Sequence, residues 1–181
     1  GIFDLLSGPS SSPIAVCDGS VLSSQGTFGW VLATSTPQRI LLQCPAYGSN
    51  MDSYRAGAYG LLSITTFIHL LETYFKRSLQ STTIWCDNLS VVKTVNRLIS
   101  TSRPEFPNET LRPSWDILQA IRKNFKLHPH LTLLHVKGHQ DDLSDQNDLP
   151  FPAQLNVQAD LLATEFQQAT AHVTDQGPMI P

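Results

Sequence analysis

The spacing of apolar residues changes along the chain, and each change marks the border between a predicted strand and a predicted helix. Apolar residues at a spacing of three or four predict helices at about 53–76, 89–99, 114–125 and 153–169. Short apolar runs rich in β-branched and aromatic residues predict strands at 14–18, 27–34, 39–44, 82–87 and 131–136. The predicted order of elements is therefore β-β-β-α-β-α-α-β-α.

The lengths of the connections predict how these strands pair. Strands one to three follow one another through short loops, which favours an antiparallel meander. Helices separate strand three from strand four and strand four from strand five, so both later strands should run parallel to strand one. The predicted fold class is α/β, with a mixed five-stranded sheet (three antiparallel, then two parallel strands) flanked by helices.

A single domain accounts for most of the 181 residues, which are enough for a proper core. Residues 1–12 have the composition of a linker or N-terminal extension, the domain is expected at 13–170, and 171–181 are expected to form a flexible tail. No apolar run approaches the length of a membrane span, and the first residues lack the basic region of a secretory signal.

Net charge and cysteine content limit the kinds of protein to which this chain can belong. The formal charge of −3 argues against a strongly basic nucleic-acid clamp, so contact with nucleic acid would have to be local, metal-assisted or aided by a neighbouring domain. Cys17, Cys44 and Cys86 are odd in number and lack metal-ligand spacing. Each lies in a predicted strand, so we expect buried, reduced thiols and an intracellular protein.

Aspartates stand at the ends of two predicted strands that should be neighbours. Asp18 ends the first strand and Asp87 ends the fourth. A carboxylate at the end of an apolar strand is costly to bury unless something pairs with it, so each residue either caps a turn or binds a cation. Two carboxylates held side by side repel and need a cation, and hard oxygen ligands favour magnesium or manganese over zinc.

Two further residues could complete such a site. Asp160 adjoins the apolar stripe of the last helix and shares a face with Asn156, although a solvated helix charge is the commoner role for such a residue. His139 follows strand five and precedes a long polar loop. It is either a locally hydrogen-bonded turn residue or a group that moves protons or loosens product beside a metal cluster.

Taken together, the motifs resemble the type 1 ribonuclease H family, most closely the domains attached to reverse transcriptases of retroelements. The resemblance covers roughly residues 13–170. It rests on five motifs in the family's order: Asp18, Tyr54-Arg55-Ala56, Cys86-Asp87-Asn88, Val136-Lys137-Gly138-His139 and Asn156-x-x-x-Asp160.

The resemblance implies an Mg²⁺-dependent endonuclease, with Mn²⁺ as a substitute, that cuts the RNA strand of RNA–DNA hybrids. Asp18 would bridge two metal ions, Asp87 would hold one of them and Asp160 the other. His139 would assist proton movement or product release. A single ion near Asp18 and Asp160 is expected in the absence of substrate.

Recognition of the hybrid in this family depends on helix shape and 2′-hydroxyl groups rather than on base sequence. The resemblance makes Gly19, Ser20, Ser53, Asn88 and Asn156 candidates for those contacts. Each is explained equally well as an ordinary turn, capping or helix residue.

One position departs from the family pattern. Two residues after the arginine at the start of the first helix the family carries a metal-binding glutamate, and this chain has Gly57 after Arg55-Ala56. A natural loss of activity, an engineered or chance substitution, and compensation by another carboxylate all remain open. Asp52, Asp141 and Asp142 are the nearest candidates, although Asp52 is offset by about 140° around the helix.

Three functions are compatible with these residues. The first is the hybrid-cutting endonuclease domain of a retroelement polyprotein, with activity impaired by Gly57. Its positive charge is scattered between residues 95 and 126, so its grip on a hybrid should depend on an attached or associated polymerase domain. The second is an inactive nucleic-acid-binding or connection/scaffold domain of the same fold. The third, a transposase or resolvase, is disfavoured by the Lys137-Gly138-His139 motif. We expect an isolated monomer without membrane contact.

Overall fold

The computed structural model describes residues 1, 3, 6, 12–48, 50–101, 111–142 and 145–171. The strands are β1 (Ile14–Leu22), β2 (Gln25–Ala33), β3 (Arg39–Ala46), β4 (Thr82–Cys86) and β5 (Leu131–His135). The helices are α1 (Ser53–Phe75), α2 (Leu89–Ser100), α3 (Trp115–Leu127) and α4 (Phe151–Ala171). The predicted order of elements is confirmed. Residues 102–110, which connect α2 to α3, and the predicted tail beyond residue 171 lie outside the described residues.

The strands form one mixed sheet in the order β3-β2-β1-β4-β5. β1 pairs antiparallel with β2, and β2 pairs antiparallel with β3. β4 lies parallel to β1 on one side and to β5 on the other. This arrangement confirms the predicted meander followed by two parallel strands, because helical crossovers return each later strand in the direction of β1.

The first strand is longer than its sequence pattern predicted. It continues past Asp18 to Leu22, which pairs with Gln25 across a two-residue turn. Ser23 and Ser24 occupy this turn with φ angles of 50° and 65°. Positive φ at both central residues matches the right-handed twist of paired strands, so the hairpin stays paired to its tip. Asp18 therefore lies within β1, one residue beyond the last position that pairs with β4.

The two faces of the sheet carry separate apolar clusters. Ala15 and Cys17 of β1 point into the larger cluster, which also contains buried residues of α1, α2 and α3. Val16 points to the other face, where it packs with Ala159 of α4. Successive side chains of a strand point to opposite faces, so Asp18 shares the α4 face with Val16.

Two residues of the predicted N-terminal linker belong to the core. Phe3 and Leu6 are buried in the larger cluster. The Phe3 ring lies 5.2 Å from the ring of Phe75 at the end of α1, and the Arg77 guanidinium lies 4.7 Å above it. A linker was predicted here because Ser, Gly and Pro are frequent in residues 1–12, and the burial of Phe3 and Leu6 was therefore missed.

Side chains cap the two helices that follow the edge of the sheet. Asp52 Oδ1 accepts a hydrogen bond from Arg55 N at 2.7 Å at the start of α1, and Asn88 Oδ1 accepts from Val91 N at 3.1 Å at the start of α2. Each cap is worth about 1 kcal/mol. None of the described helices has the length and apolar character needed to cross a membrane.

Candidate active site

The end of the β1–β4 ladder brings two aspartates together. Cys17 and Cys86 are the last paired residues of these parallel strands, so Asp18 and Asp87 follow side by side. Their side chains are hydrogen bonded to each other. Asp18 is only 6% exposed, and its Oδ1 also accepts from Gly19 N at 2.6 Å. The sequence prediction that these carboxyl groups face each other at one sheet edge agrees with this placement.

The shared environment changes the acidity of both carboxyl groups. Burial, followed by the charge of Asp87 and the hydrogen bond with it, raises the pKa of Asp18 to about 9. Burial also raises the pKa of Asp87, although the hydrogen bond from Asp18 and the charge of His139 act in the opposite direction. Asp18 therefore keeps its proton at neutral pH and donates it to the Asp87 carboxylate.

Asp160 and His139 lie close enough to act on this pair. Asp160 is half-buried on α4, and its charge raises the pKa of both Asp18 and Asp87. Thr164, one turn later, donates to Asp160 Oδ1 at 3.5 Å. His139 is exposed, adopts a left-handed φ of 51°, and its charge lowers the pKa of Asp87. The fold thus assembles residues that are separated by up to 142 positions in the chain.

The donor chemistry of the three aspartates fits a hard divalent cation. All three offer carboxylate oxygens, the ligand type that Mg²⁺ and Mn²⁺ prefer. Their mutual repulsion is relieved in the metal-free protein by a proton on Asp18, and a cation would take over that role. Gly138 leaves room beside Asp87, because a Cβ at position 138 would lie 3.2 Å from Asp87 Oδ2.

Gly57 lies at the margin of the same site. It is buried in α1, and a Cβ built on it would lie 3.3 Å from Asn88 Cβ, next in sequence to Asp87. The backbone of α1 contacts the end of β1 here, since a Cβ on Gly19 would come within 2.4 Å of Gly57 N. A side chain at position 57 would therefore start beside Asn88, the residue that follows Asp87.

The structure shows the surroundings of two of the carboxylates that could substitute for a glutamate at position 57. Asp52 is exposed and occupied by the cap of α1. Asp141 is exposed in a short 3₁₀ turn (Gln140–Asp142).

The five residues proposed from the sequence to contact substrate have different environments. Ser53 is exposed, and its carbonyl accepts from Asn88 Nδ2 at 3.3 Å. Ser20 Oγ donates to Gln167 of α4 at 3.0 Å, and Gly19 is half-buried against α1. Asn156 is 3% exposed, and its Oδ1 has no hydrogen-bond partner in the part of the chain that the structure describes. Asn156 thus faces the protein interior, whereas Ser53 faces solvent.

Sequence reasoning missed two residues that hold the site in place. His135 Nε2, at the end of β5, donates to the Asp87 carbonyl at 3.0 Å and so fixes the end of β4. Arg55 of α1 makes two bonds to the Asp116 carboxylate of α3, at 2.9 and 3.3 Å, and a third to Tyr47 O at 2.9 Å. Two features of the sequence could have identified these residues. His135 stands at the end of a strand, and Arg55 belongs to the Tyr-Arg-Ala motif.

Solved structures of other proteins share this fold. The isolated ribonuclease H domain of prototype foamy virus is 16% identical, with a TM-score of 0.57 over 88% of this chain and 95% of that domain. LC11-RNase H1, isolated from compost and solved in complex with an RNA/DNA hybrid, is 14% identical, with a TM-score of 0.57 over 87% of this chain and 99% of that protein. The chain has the ribonuclease H fold.

A larger protein contains the same ribonuclease H fold. The protease-reverse transcriptase of prototype foamy virus is 20% identical, with a TM-score of 0.62 over 87% of this chain. This chain spans only about a fifth (21%) of that viral protein. No family model matches the chain, and no curated protein matches it significantly. At these identities the similarity establishes the fold alone.

Proposed function

We propose that this chain is a divalent-metal-dependent endonuclease domain that hydrolyses the RNA strand of RNA–DNA hybrids. The observation that carries the proposal is the hydrogen-bonded pair Asp18–Asp87 with Asp160 beside it, at the end of two parallel strands. Two adjacent carboxyl groups, one with its pKa raised to about 9, together with the charge of Asp160 acting on both, form an environment that favours a cation.

Each residue has a distinct task in this proposal. Asp18, Asp87 and Asp160 would hold Mg²⁺, or Mn²⁺ in its place. When bound, such ions supply an activated water and stabilise the leaving oxygen of the phosphodiester. His139, exposed on its loop, accepts or delivers a proton at the edge of the site. Ser53 and Asn88 would contact the sugar-phosphate backbone of a hybrid.

The proposed substrate and context are supported by the solved structures of the same fold. One of them holds an RNA/DNA hybrid, and others are part of a protease-reverse transcriptase. We therefore place this domain in a retroelement reverse transcriptase polyprotein, where a polymerase domain supplies grip on the nucleic acid. The isolated domain is proposed to be a monomer.

Gly57 reduces the activity in this proposal. It removes a carboxylate from the margin of the cluster, so the second metal ion should bind weakly and turnover should fall by orders of magnitude. The same glycine favours a second candidate function: an inactive module of this fold that binds hybrid or connects other domains.

The deciding assay follows cleavage of a labelled RNA–DNA hybrid in Mg²⁺ and in Mn²⁺, with Asp18→Asn as the inactive control. Slow cleavage of the RNA strand by the wild type and none by D18N is the expected result. Saturable hybrid binding with no cleavage in either metal would favour the inactive module. Preferential cleavage of duplex DNA would contradict the substrate assignment.

A further inference from the structure

A second cluster of metal-ligating side chains lies at the opposite end of α1. It consists of Glu72 near the end of α1, and of His128 and His130, which flank Pro129 between α3 and β5. One ligand atom from each of these three residues lies within 4.8 Å of the others. Gly57 and Glu72 are fifteen residues apart on one helix, so roughly 22 Å separates this cluster from the aspartates.

The contacts within the cluster are short and mostly buried. Glu72 Oε2 lies 2.7 Å from His128 Nδ1, and Glu72 Oε1 lies 2.9 Å from His130 Nε2. The side chains of Glu72, His128 and His130 are 6%, 9% and 21% exposed. A carboxylate this deeply buried needs partners, and these two imidazoles are placed to supply them.

One ligand atom has no satisfactory partner among the described residues. His130 Nε2 is buried and makes no aligned hydrogen bond, although it lies 2.9 Å from Glu72 Oε1. Buried polar atoms are nearly always satisfied, so an orphaned one that points into a cluster of ligands indicates a missing partner. A cation bound between the carboxylate and the imidazoles would satisfy it.

A fourth residue supports the first three in the manner of a metal site. His69, one turn before Glu72, places its Nδ1 2.9 Å from His128 Nε2, the nitrogen that faces away from Glu72. Histidines that bind a metal through one ring nitrogen usually donate the other N–H to a second group, which fixes the ring and its tautomer. His128 has this arrangement, with Nδ1 toward the cluster and Nε2–H available for His69.

The backbone holds the two histidines of the 128–130 segment in position before any ion binds. Leu131 N donates to His128 O at 3.0 Å, and Thr82 N donates to His130 O at 3.2 Å. Leu79 N donates to Glu72 Oε1 at 2.6 Å and orients the carboxylate. The cleft of about 280 Å³ lined by His69, Glu72, His128, Lys76 and Arg77 provides an entrance.

We propose that Glu72, His128 and His130 form a Zn²⁺-binding site that ties the end of α1 to the junction of α3 and β5. Two imidazole nitrogens and one carboxylate oxygen are a ligand set that Zn²⁺ takes in proteins, with water in the fourth position. Mg²⁺ prefers oxygen ligands, so the two clusters of this chain should select different ions. Its proposed role is to join these two parts of the fold, since the aspartates lie roughly 22 Å away.

Titration of metal-free protein with Co²⁺, followed by displacement with Zn²⁺, tests the site by the visible absorption of four-coordinate Co²⁺. Asp18→Asn protein serves as the background in which the aspartate cluster is disabled. One equivalent of Co²⁺ should give the four-coordinate absorption in wild type and in D18N. His130→Gln should weaken binding by at least about 100-fold and His69→Gln by about tenfold, whereas the surface control Lys93→Gln should bind as wild type does.

Thermal unfolding supplies a readout that needs no histidine variant. The melting temperature of D18N should rise with Zn²⁺ concentration and remain unchanged with Mg²⁺, because an ion that binds only the folded state stabilises it. Absence of a Zn²⁺-dependent rise, or Co²⁺ spectra that are identical in wild type and H130Q, would overturn the proposal. The cluster would then be a hydrogen-bonded network only.

Discussion

Gly57 and Asn88 face each other across the margin of the aspartate cluster, and a Cβ added to the glycine would lie 3.3 Å from the asparagine Cβ. Asn88 caps α2 and also donates to Ser53 O at 3.3 Å, so it links the starts of two helices. A side chain at position 57 can be accommodated only if Asn88 shifts by a few tenths of an ångström. Asn88 follows Asp87 in the chain, so that side chain would begin next to the residue after this aspartate.

Gly57→Glu should raise the rate of hybrid cleavage by about 10–100-fold in Mg²⁺, because it adds a carboxylate ligand beside Asp18 and Asp87. Initial rates of cleavage of a labelled hybrid provide the measurement. Gly57→Gln is the matched control, since it adds the same volume without a charge and should not raise the rate. If Gly57→Glu cleaves no hybrid in either metal, the endonuclease assignment fails.

Asp18→Asn should stabilise the metal-free protein at pH 7 by roughly 1–2 kcal/mol. The pKa of Asp18 is raised from 3.8 to about 9, so the folded state binds this proton more tightly than the unfolded state does. The stabilisation that this bound proton gives the folded state is complete below pH 3.8 and is lost progressively as the pH rises toward 9. Denaturant unfolding of both proteins at pH 4 and pH 7 is the measurement. The gain from Asn should shrink at pH 4, and an equal gain at both values would contradict the raised pKa.

Arg55→Lys should lower the free energy of unfolding by about 1–2 kcal/mol, because lysine cannot reproduce the paired bonds to Asp116 together with the bond to Tyr47 O. Urea unfolding monitored by circular dichroism measures the loss. Asp116→Asn is the comparison variant. Its loss should be below about 1 kcal/mol, since the Asp116 side chain is 64% exposed and solvent screens the pair. If both variants lose the same free energy of unfolding, the ion pair alone accounts for the stabilisation by Arg55.

The three thiols should differ in reactivity. Cys17 and Cys86 are fully buried, and the hydrogen bond between them together with burial raises the pKa of Cys17 well above its ordinary value. Cys44 is half-buried on the edge strand β3. A thiol-specific reagent should therefore label Cys44 first in the folded protein and all three equally in denaturant. Cys44→Ser should abolish the fast phase, and fast labelling of Cys17 would contradict the packing of β1 against β4.

Most of the secondary structure followed from local pattern. The start of α1 at Ser53, the start of α2 at Leu89 and both parallel strands were predicted correctly or to within a residue. Helix and strand periodicities, capping side chains and short loops are properties of neighbouring residues, so they can be read without knowledge of the fold. The predicted end of β1 at residue 18 was wrong for a local reason. The positive φ angles of Ser23 and Ser24 form a tight turn, so the two strands stay paired as far as Leu22.

The sequence alone also determined that Asp18 and Asp87 would be neighbours, because two parallel strands separated by a helix end at the same sheet edge. Only the tertiary structure decided that Arg55 pairs with Asp116, that Phe3 packs on Phe75, and that Glu72 meets His128 and His130. The last of these contacts joins residues more than fifty positions apart on elements that the sheet does not pair. Their distance is set by how helices pack on the core, and no spacing along the chain records it.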